Sequence, residues 1–235
     1  MSAKTLKPPE LWIDVVPTVR SLVEQRLREA IMSGAFKPGQ RLIERELCEM
    51  TGVSRPSIRE ALRRLEADGL VTIIAHRGPV VSTISIEEAR QLYAARAVLE
   101  GFAGRECARL HKPEVARRIG DALAKLKVAA AASDLAGCLD AKTAFYAAMI
   151  TGCENSFVER MLRPLHDRIA LLRITSMSQP KRINKSLREV TAIWRAIQSG
   201  DAAMAEKCCV DHVNAAARAA LRMIEEAALS APFKA

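Results

Sequence analysis

Arg55, Arg59 and Arg63 stand four residues apart, a spacing that aligns their guanidinium groups on one face of a helix. Ile58, Ala61, Leu62 and Leu65 fall on the other face of the same stretch. A helix held to its domain on one side and cationic on the other can enter a DNA major groove. Arginine suits that task, because its fork bonds guanine O6 and N7 together or clamps a phosphate. Ser54 and Ser57 fall at the helix start, where hydroxyls and free backbone N–H groups meet phosphates. A solvated arginine stripe on an ordinary amphipathic helix shows the same pattern. The Thr51-Gly52-Val53 turn before it and a β-hairpin pattern after it favour the DNA-reading alternative.

A second set of ionisable residues lies further along. Arg96 shares a helical face with Leu92, Leu99, Ala103 and Leu110, so it points inward and must meet an anion. Glu100, at i+4, is the obvious structural partner. Lys142 and Tyr146 are one helical turn apart. Such a pair can do acid–base work when both groups are perturbed, and otherwise forms a pocket wall or a hydrogen-bonded core pair. The sequence holds no Gly-x-Ser-x-Gly, no phosphate-binding glycine loop and no cluster at catalytic spacing, so no catalytic residue is assigned and no enzyme is expected. His76, His111 and His166 offer no metal-ligand spacing, and none of the 6 cysteines forms a Cys-x-x-Cys pair.

Helices must position these groups. The chain has 235 residues, 49% of them hydrophobic and only 4% aromatic, which argues for a helical core of Leu, Ile, Val, Ala and Met and against an all-β fold. Formal net charge is +9, suited to an anionic partner, with +3 of it in residues 1–84. Residues 1–17 read as a proline-rich arm. Helical periodicity begins at Thr18 with Val19, Leu22, Val23, Leu27 and Ile31. A short helix over Glu44 to Met50 and a third from an N-cap at Ser54 to Gly69 follow. Leu70 to Ala75 and Val80 to Ile84 read as strands around a His76-Arg77-Gly78-Pro79 turn. Beyond them the pattern is helical over 87–110, 113–132, 135–152, 155–177, 182–199 and 201–229, with breaks at Pro113, Ser133-Asp134, Gly152 to Asn155, Gln179-Pro180 and Gly200-Asp201. The fold class expected is mainly α: a winged helix-turn-helix over 1–84, then an all-α bundle over 85–235. No run is apolar enough to span a membrane and no signal segment is visible, so a cytoplasmic protein with free buried thiols is expected.

The stretch from Gly39-Gln40-Arg41-Leu42-Ile43-Glu44-Arg45-Glu46-Leu47 through Gly52-Val53-Ser54-Arg55 and Arg59-Glu60-Ala61-Leu62-Arg63-Arg64-Leu65-Glu66 to Asp68-Gly69-Leu70-Val71 resembles the DNA-binding domain of GntR-family bacterial regulators. That resemblance implies base contacts from Arg45 and Arg55, a further DNA contact from Arg59, and a wing tip at Arg77-Gly78 in the minor groove. Pro56-Ser57 stands where relatives have a hydroxyl residue and then Pro or Thr, which bears on phosphate contacts. The helical second half resembles the FadR-type branch and its FCD effector-binding bundle, through Arg96, Glu100 and the run Gly200-Asp201 to His212.

FCD domains commonly bind a divalent metal through one Asp and three His. The matching positions here are Lys142, Tyr146, Val190 and His212. One imidazole beside an ammonium lacks the lone-pair donors a divalent ion needs, so no metal and no other cofactor is expected. The resemblance instead implies a small-molecule effector, a carboxylate in particular, met by Arg96, Lys142, Tyr146 and His212, with the Lys142 ammonium in the metal's role. For Arg96 the alternative of a purely structural pair with Glu100 stays open. The resulting expectation is a homodimeric, effector-responsive transcription regulator, of repressor type, on a double-stranded DNA operator. The alternatives are a regulator whose pocket has decayed and, third, a small helical enzyme with a DNA-binding appendage.

Overall fold

The computed structural model describes residues 18–177 and 182–230. The arm expected over 1–17 and the break expected at Gln179-Pro180 lie outside the described residues. Three helices open the chain: α1 (Val19–Met32), α2 (Glu44–Thr51) and α3 (Arg55–Ala67). Thr18 caps α1 by accepting a hydrogen bond from the Ser21 N–H at 3.2 Å, and Val23, Leu27 and Ile31 recur on its buried side. Leu47 on α2 and Ile58, Ala61, Leu62 and Leu65 on α3 complete that core. Ser54 does occupy the N-cap position of α3, but its side chain makes no capping bond; its Oγ lies 3.2 Å from Ser57 Oγ instead.

The hairpin departs from its expected span: its first strand is one residue shorter at each end, and its second starts two residues and ends three residues earlier. Strands β1 (Val71–Ile74) and β2 (Gly78–Val81) pair in the register Ile74↔Gly78 to Val71↔Val81, so the connecting turn is 75–77 and Pro79 lies within β2. Proline is tolerated there because its carbonyl turns away from β1, accepting from Leu42 N–H at 2.8 Å. The missing N–H therefore takes nothing from the β1–β2 ladder.

Six long helices follow: α4 (Ile86–Leu110), α5 (Pro113–Ala131), α6 (Leu135–Gly152), α7 (Ser156–Met177), α8 (Arg182–Gln198) and α9 (Ala202–Ser230). Each lies within one residue of the span its periodicity predicts. Side chains of Ser85 and Asp134 cap α4 and α6, and Pro113 opens α5 where its absent N–H is harmless. The central contact is α4 against α9. Glycine makes it close: a Cβ at Gly104 would sit 2.5 Å from Cys209 Sγ. Ile119, Leu126, Phe145, Met149, Val190 and Ile193 fill the core of this bundle. Its cysteines behave as small hydrophobes, and burial pushes the Cys107 thiol up to about 12.

The core of the first segment does not close on itself. Leu27, Ile58 and Leu65 belong to one apolar cluster with Tyr93 and Ala97 of α4, Ile169 of α7 and Val213 of α9. The winged helix thus rests on the bundle through shared buried surface. Among the described residues no helix is long and apolar enough to cross a membrane. Leu65 is fully buried, and Leu65→Ala is expected to lower the unfolding free energy by about 2–5 kcal/mol. Urea unfolding, followed by far-UV circular dichroism, measures it.

Candidate DNA-reading face and effector site

The apolar side of α3 faces the core, which leaves its arginines outside. Arg55 is exposed and makes no ion pair among the described residues. Arg59 is held by Glu44 of α2, with Nε–Oε1 at 3.3 Å and Nη2–Oε2 at 3.2 Å. Arg63 reaches Glu60 at 3.1 Å, and Arg45 lies 3.8 Å from Glu49. Such solvated pairs are worth about 0–1 kcal/mol, so a phosphate can displace any of these three carboxylates. Arg77 is exposed in the hairpin turn, next to the half-buried Gly78. Ser54 and Ser57 sit at the α3 start with Arg55. All eight residues expected to face DNA therefore lie on α2, on α3 or its N-cap, or at the hairpin tip, at or near the surface.

Inside the bundle the structure brings Arg96, Lys142, Tyr146 and His212 together. Arg96 is 1% exposed and Glu100 0%, and they pair through Arg96 Nε–Glu100 Oε1 and Nη2–Oε2 at 3.3 Å. The guanidinium also lies 5.0 Å from the Tyr146 ring centroid and 5.8 Å from that of Tyr93. Burial opposes both charges of the pair. The combined pull of Arg96 and His166 outweighs it for Glu100, which stays below the usual carboxylate range, and that of Glu100 with Tyr146 and Tyr93 outweighs it for Arg96, which stays above its own. The structural ion pair considered for Arg96 is thus present. His166 of α7 flanks it, with Nε2 2.9 Å from Glu100 Oε1.

Lys142 points inward. It is 4% exposed, and its Nζ donates to Ser186 Oγ at 2.7 Å. Tyr146 Oη lies 2.6 Å from His212 Nε2, and His212 Nδ1 lies 2.6 Å from Glu189 Oε2. A carboxylate only accepts, so Nδ1 carries the proton and Nε2 accepts from the tyrosine. Arg182 completes the chain, 3.1 Å from Glu189. Burial, and then the Lys142 charge, lower His212 to about 4 despite its bond to Glu189. Glu189 itself is held low by His212 and Arg182 against its burial.

Sequence reasoning placed Lys142, Tyr146, His212 and the Arg96–Glu100 pair in this region but missed His166, Arg182 and Ser186 as members. A signal for His166 existed: it falls between Leu162 and Ile169, one and two turns along the buried side of α7. Ser186 likewise precedes the buried Val190 and Ile193.

Residues 91–215 match the FCD domain, and residues 19–81 match the gntR family of bacterial regulatory proteins. The chain belongs to the GntR family, in its FCD-bearing branch. An uncharacterized HTH-type transcriptional regulator of Agrobacterium vitis is 31% identical over 127 residues, covering 53% of this chain and 74% of its own. A probable D-xylose utilization operon transcriptional repressor of Paenarthrobacter nicotinovorans is 27% identical, over 84% of this chain and 87% of its own. The solved E. coli McbR/YncC superposes with a TM-score of 0.77 at 20% identity, covering 84% of this chain and 94% of that one, and so shares the fold. As a GntR-family protein the chain is a DNA-binding transcription regulator, and its FCD domain is of the small-molecule-binding type.

This FCD domain does not fit the metal its family implies. Lys142 offers an ammonium, Tyr146 gives its hydroxyl proton to His212, and Val190 is buried in the apolar core. Among the described residues no three His, Cys, Asp or Glu side chains are grouped to hold an ion.

Between pH 6.5 and about 4 the unfolded chain binds a proton at His212 that the folded chain resists. The stability tied to this group is complete above pH 6.5 and is lost as pH falls through that window, by about 3 kcal/mol at most. Urea midpoints from pH 7 to 4 are expected to fall less in His212→Gln than in the unaltered protein.

Proposed function

We propose that this regulator is a cytoplasmic homodimeric repressor that leaves its operator when a small organic carboxylate enters the FCD bundle, without a metal. Residues 1–84 read DNA, and residues 85–235 dimerise and bind the effector. The observation that carries the effector reading is the buried Lys142. Lys142 brings an ammonium into a polar interior that already holds Arg96, Tyr146, Ser186 and His212. A ligand carboxylate can join that interior through Lys142, with Tyr146 and His212 supplying hydrogen-bonding groups. Arg96 already holds Glu100, so Lys142 is the leading ammonium contact and Arg96 a fixed positive field beside it.

The Tyr146–His212–Glu189 chain orients a hydroxyl; it is not read as catalytic, because among the described residues no nucleophile is hydrogen-bonded to it. The dimer rests on two considerations. Two-fold operators require two reading heads. Val98, Val128, Phe157 and Met161 are large apolar side chains left exposed on bundle helices. Light scattering at micromolar concentration is expected to return twice the mass of the 25.7 kDa chain.

In the DNA-reading half, Arg55→Ala is expected to weaken operator binding by about 1–3 kcal/mol if it bonds a guanine. Arg64→Ala, off the stripe, is expected to cost less. Equal small losses in a binding titration would remove the assignment of the reading face.

For the effector half, the purified protein is expected to carry no stoichiometric zinc, nickel or manganese. A panel of small carboxylates is titrated against the operator complex. Chelators should leave the response unchanged, and Lys142→Met should abolish it while ligand-free DNA binding persists. A metal at full occupancy, or a normal response in Lys142→Met, overturns the reading. A protein that binds its operator and ignores every carboxylate favours the effector-independent alternative.

A further inference from the structure

We propose that α7 transmits the state of the buried polar cluster to the C-terminal end of the reading helix α3, through the consecutive residues His166, Asp167 and Arg168. The proposal rests on the reading of that cluster as the effector site.

Successive helical residues point about 100° apart, so three neighbours fan over roughly half the helix circumference. Each of these three meets a different structure. His166 faces the cluster, with its ring centroid 4.8 Å from that of Tyr146 and its Nε2 2.9 Å from Glu100 Oε1. Asp167 accepts from Arg28 Nη1 of α1 at 2.5 Å. The same guanidinium bonds Glu24 at 3.0 Å and Asp68, the C-cap residue of α3. Arg168 pairs with Glu88 at the start of α4 and lies flat over Gly69. A Cβ at Gly69 would meet Arg168 Nε at 2.9 Å, and the backbone there has φ +75°, so only glycine admits this contact without strain.

Of the two residues that end α3, Asp68 is therefore joined to α7 through Arg28 and Gly69 by direct contact with Arg168. Asp167 and Arg28 are largely shielded from solvent, with side chains 13% and 20% exposed. Losing one partner from such a pair leaves a poorly solvated charge, so the contact resists slipping where an exposed pair would not. Ile169, the next residue, is buried in the core that the head and bundle share. Upstream, Pro164 lies inside the helix and has no N–H to bond the carbonyl one turn back. The α7 ladder thus lacks one rung just before the three residues, which makes a bend there cheaper than in an unbroken helix. A ligand that draws Glu100 or Tyr146 toward Lys142 alters what His166 contacts, and a bend at Pro164 moves Asp167 and Arg168 against α3.

The test needs neither operator nor effector, so it stands or falls apart from the carboxylate reading. Hydrogen exchange by mass spectrometry is measured on the full chain and on Arg168→Met, His166→Gln and the double variant. Arg168→Met is expected to speed exchange of amides 64–70 about tenfold and leave α5 unchanged. His166→Gln, altered on the cluster side of α7, is expected to speed the same amides to a similar extent. The double variant should then be no faster than Arg168→Met alone. Wild-type rates at 64–70 in His166→Gln, or two effects that multiply in the double variant, overturn the proposal. Should His166→Gln loosen α5 as well, the reverse direction decides. Arg28→Met, on the head side, is expected to shift the His166 ring signals in a histidine-labelled NMR spectrum and leave those of the exposed His111 in place. An unmoved His166 ring overturns it equally.

Discussion

A guanidinium and a carboxylate are fully buried one turn apart on α4, in a bundle whose core is mostly apolar. Neither charge can be left without partners in so apolar a setting, and the composition of the site follows from that requirement. Arg96 has Glu100 on one side and aromatic faces around it. The chain contains only 2 tyrosines, and both lie within cation–π distance of this guanidinium. Glu100 has a second neighbour in His166. The carboxylate Glu189 is satisfied in the same manner by Arg182 and His212. Ionic and hydrogen-bonded groups thus form a connected polar interior supported by α4, α6, α7, α8 and α9, which is the arrangement a polar ligand can join.

A polar interior has consequences for the helices around it. Each helix that lines it must also present an outer face to something else. On α7 that outer face meets the winged helix, where Asp167, Arg168 and Ile169 contact α1, the end of α3 and the shared core. The reading face of α3 lies away from these contacts. Among the described residues Arg59 and Arg63 are tied there to exposed or half-exposed carboxylates, bonds that water and salt already weaken. Firm contacts therefore hold the back of the head, and yielding ones lie at its front.

The helical periodicities of this chain carried most of the architecture. The α3 stripe of Ile58, Ala61, Leu62 and Leu65 follows from the 3.6-residue repeat, and so the opposite placement of Arg55, Arg59 and Arg63 follows too. Helix ends at Pro113 and Asp134 followed from local capping chemistry. The hairpin was less legible, because the Pro79 position depends on Leu42 pairing with it from the other side. Ser54 also behaved differently from its residue type: at the N-cap position, its hydroxyl meets Ser57 and not the backbone.

Residue type and local spacing therefore determined the mainly helical fold and the placement of Arg55, Arg59 and Arg63 opposite the buried side of α3. Tertiary structure decided which charges meet. Lys142 finds Ser186 across 44 residues of chain, Tyr146 finds His212 across 66, and Arg28 finds Asp167 across 139. Periodicity states that a side chain faces inward; it does not state what another helix places opposite. That is why the inward position of Arg96 was readable from its own helix, as was its pairing with Glu100 one turn away. The place of His166 beside that pair, and of Asp167 beneath the end of α3, exists only once α7 has packed between the bundle and the head.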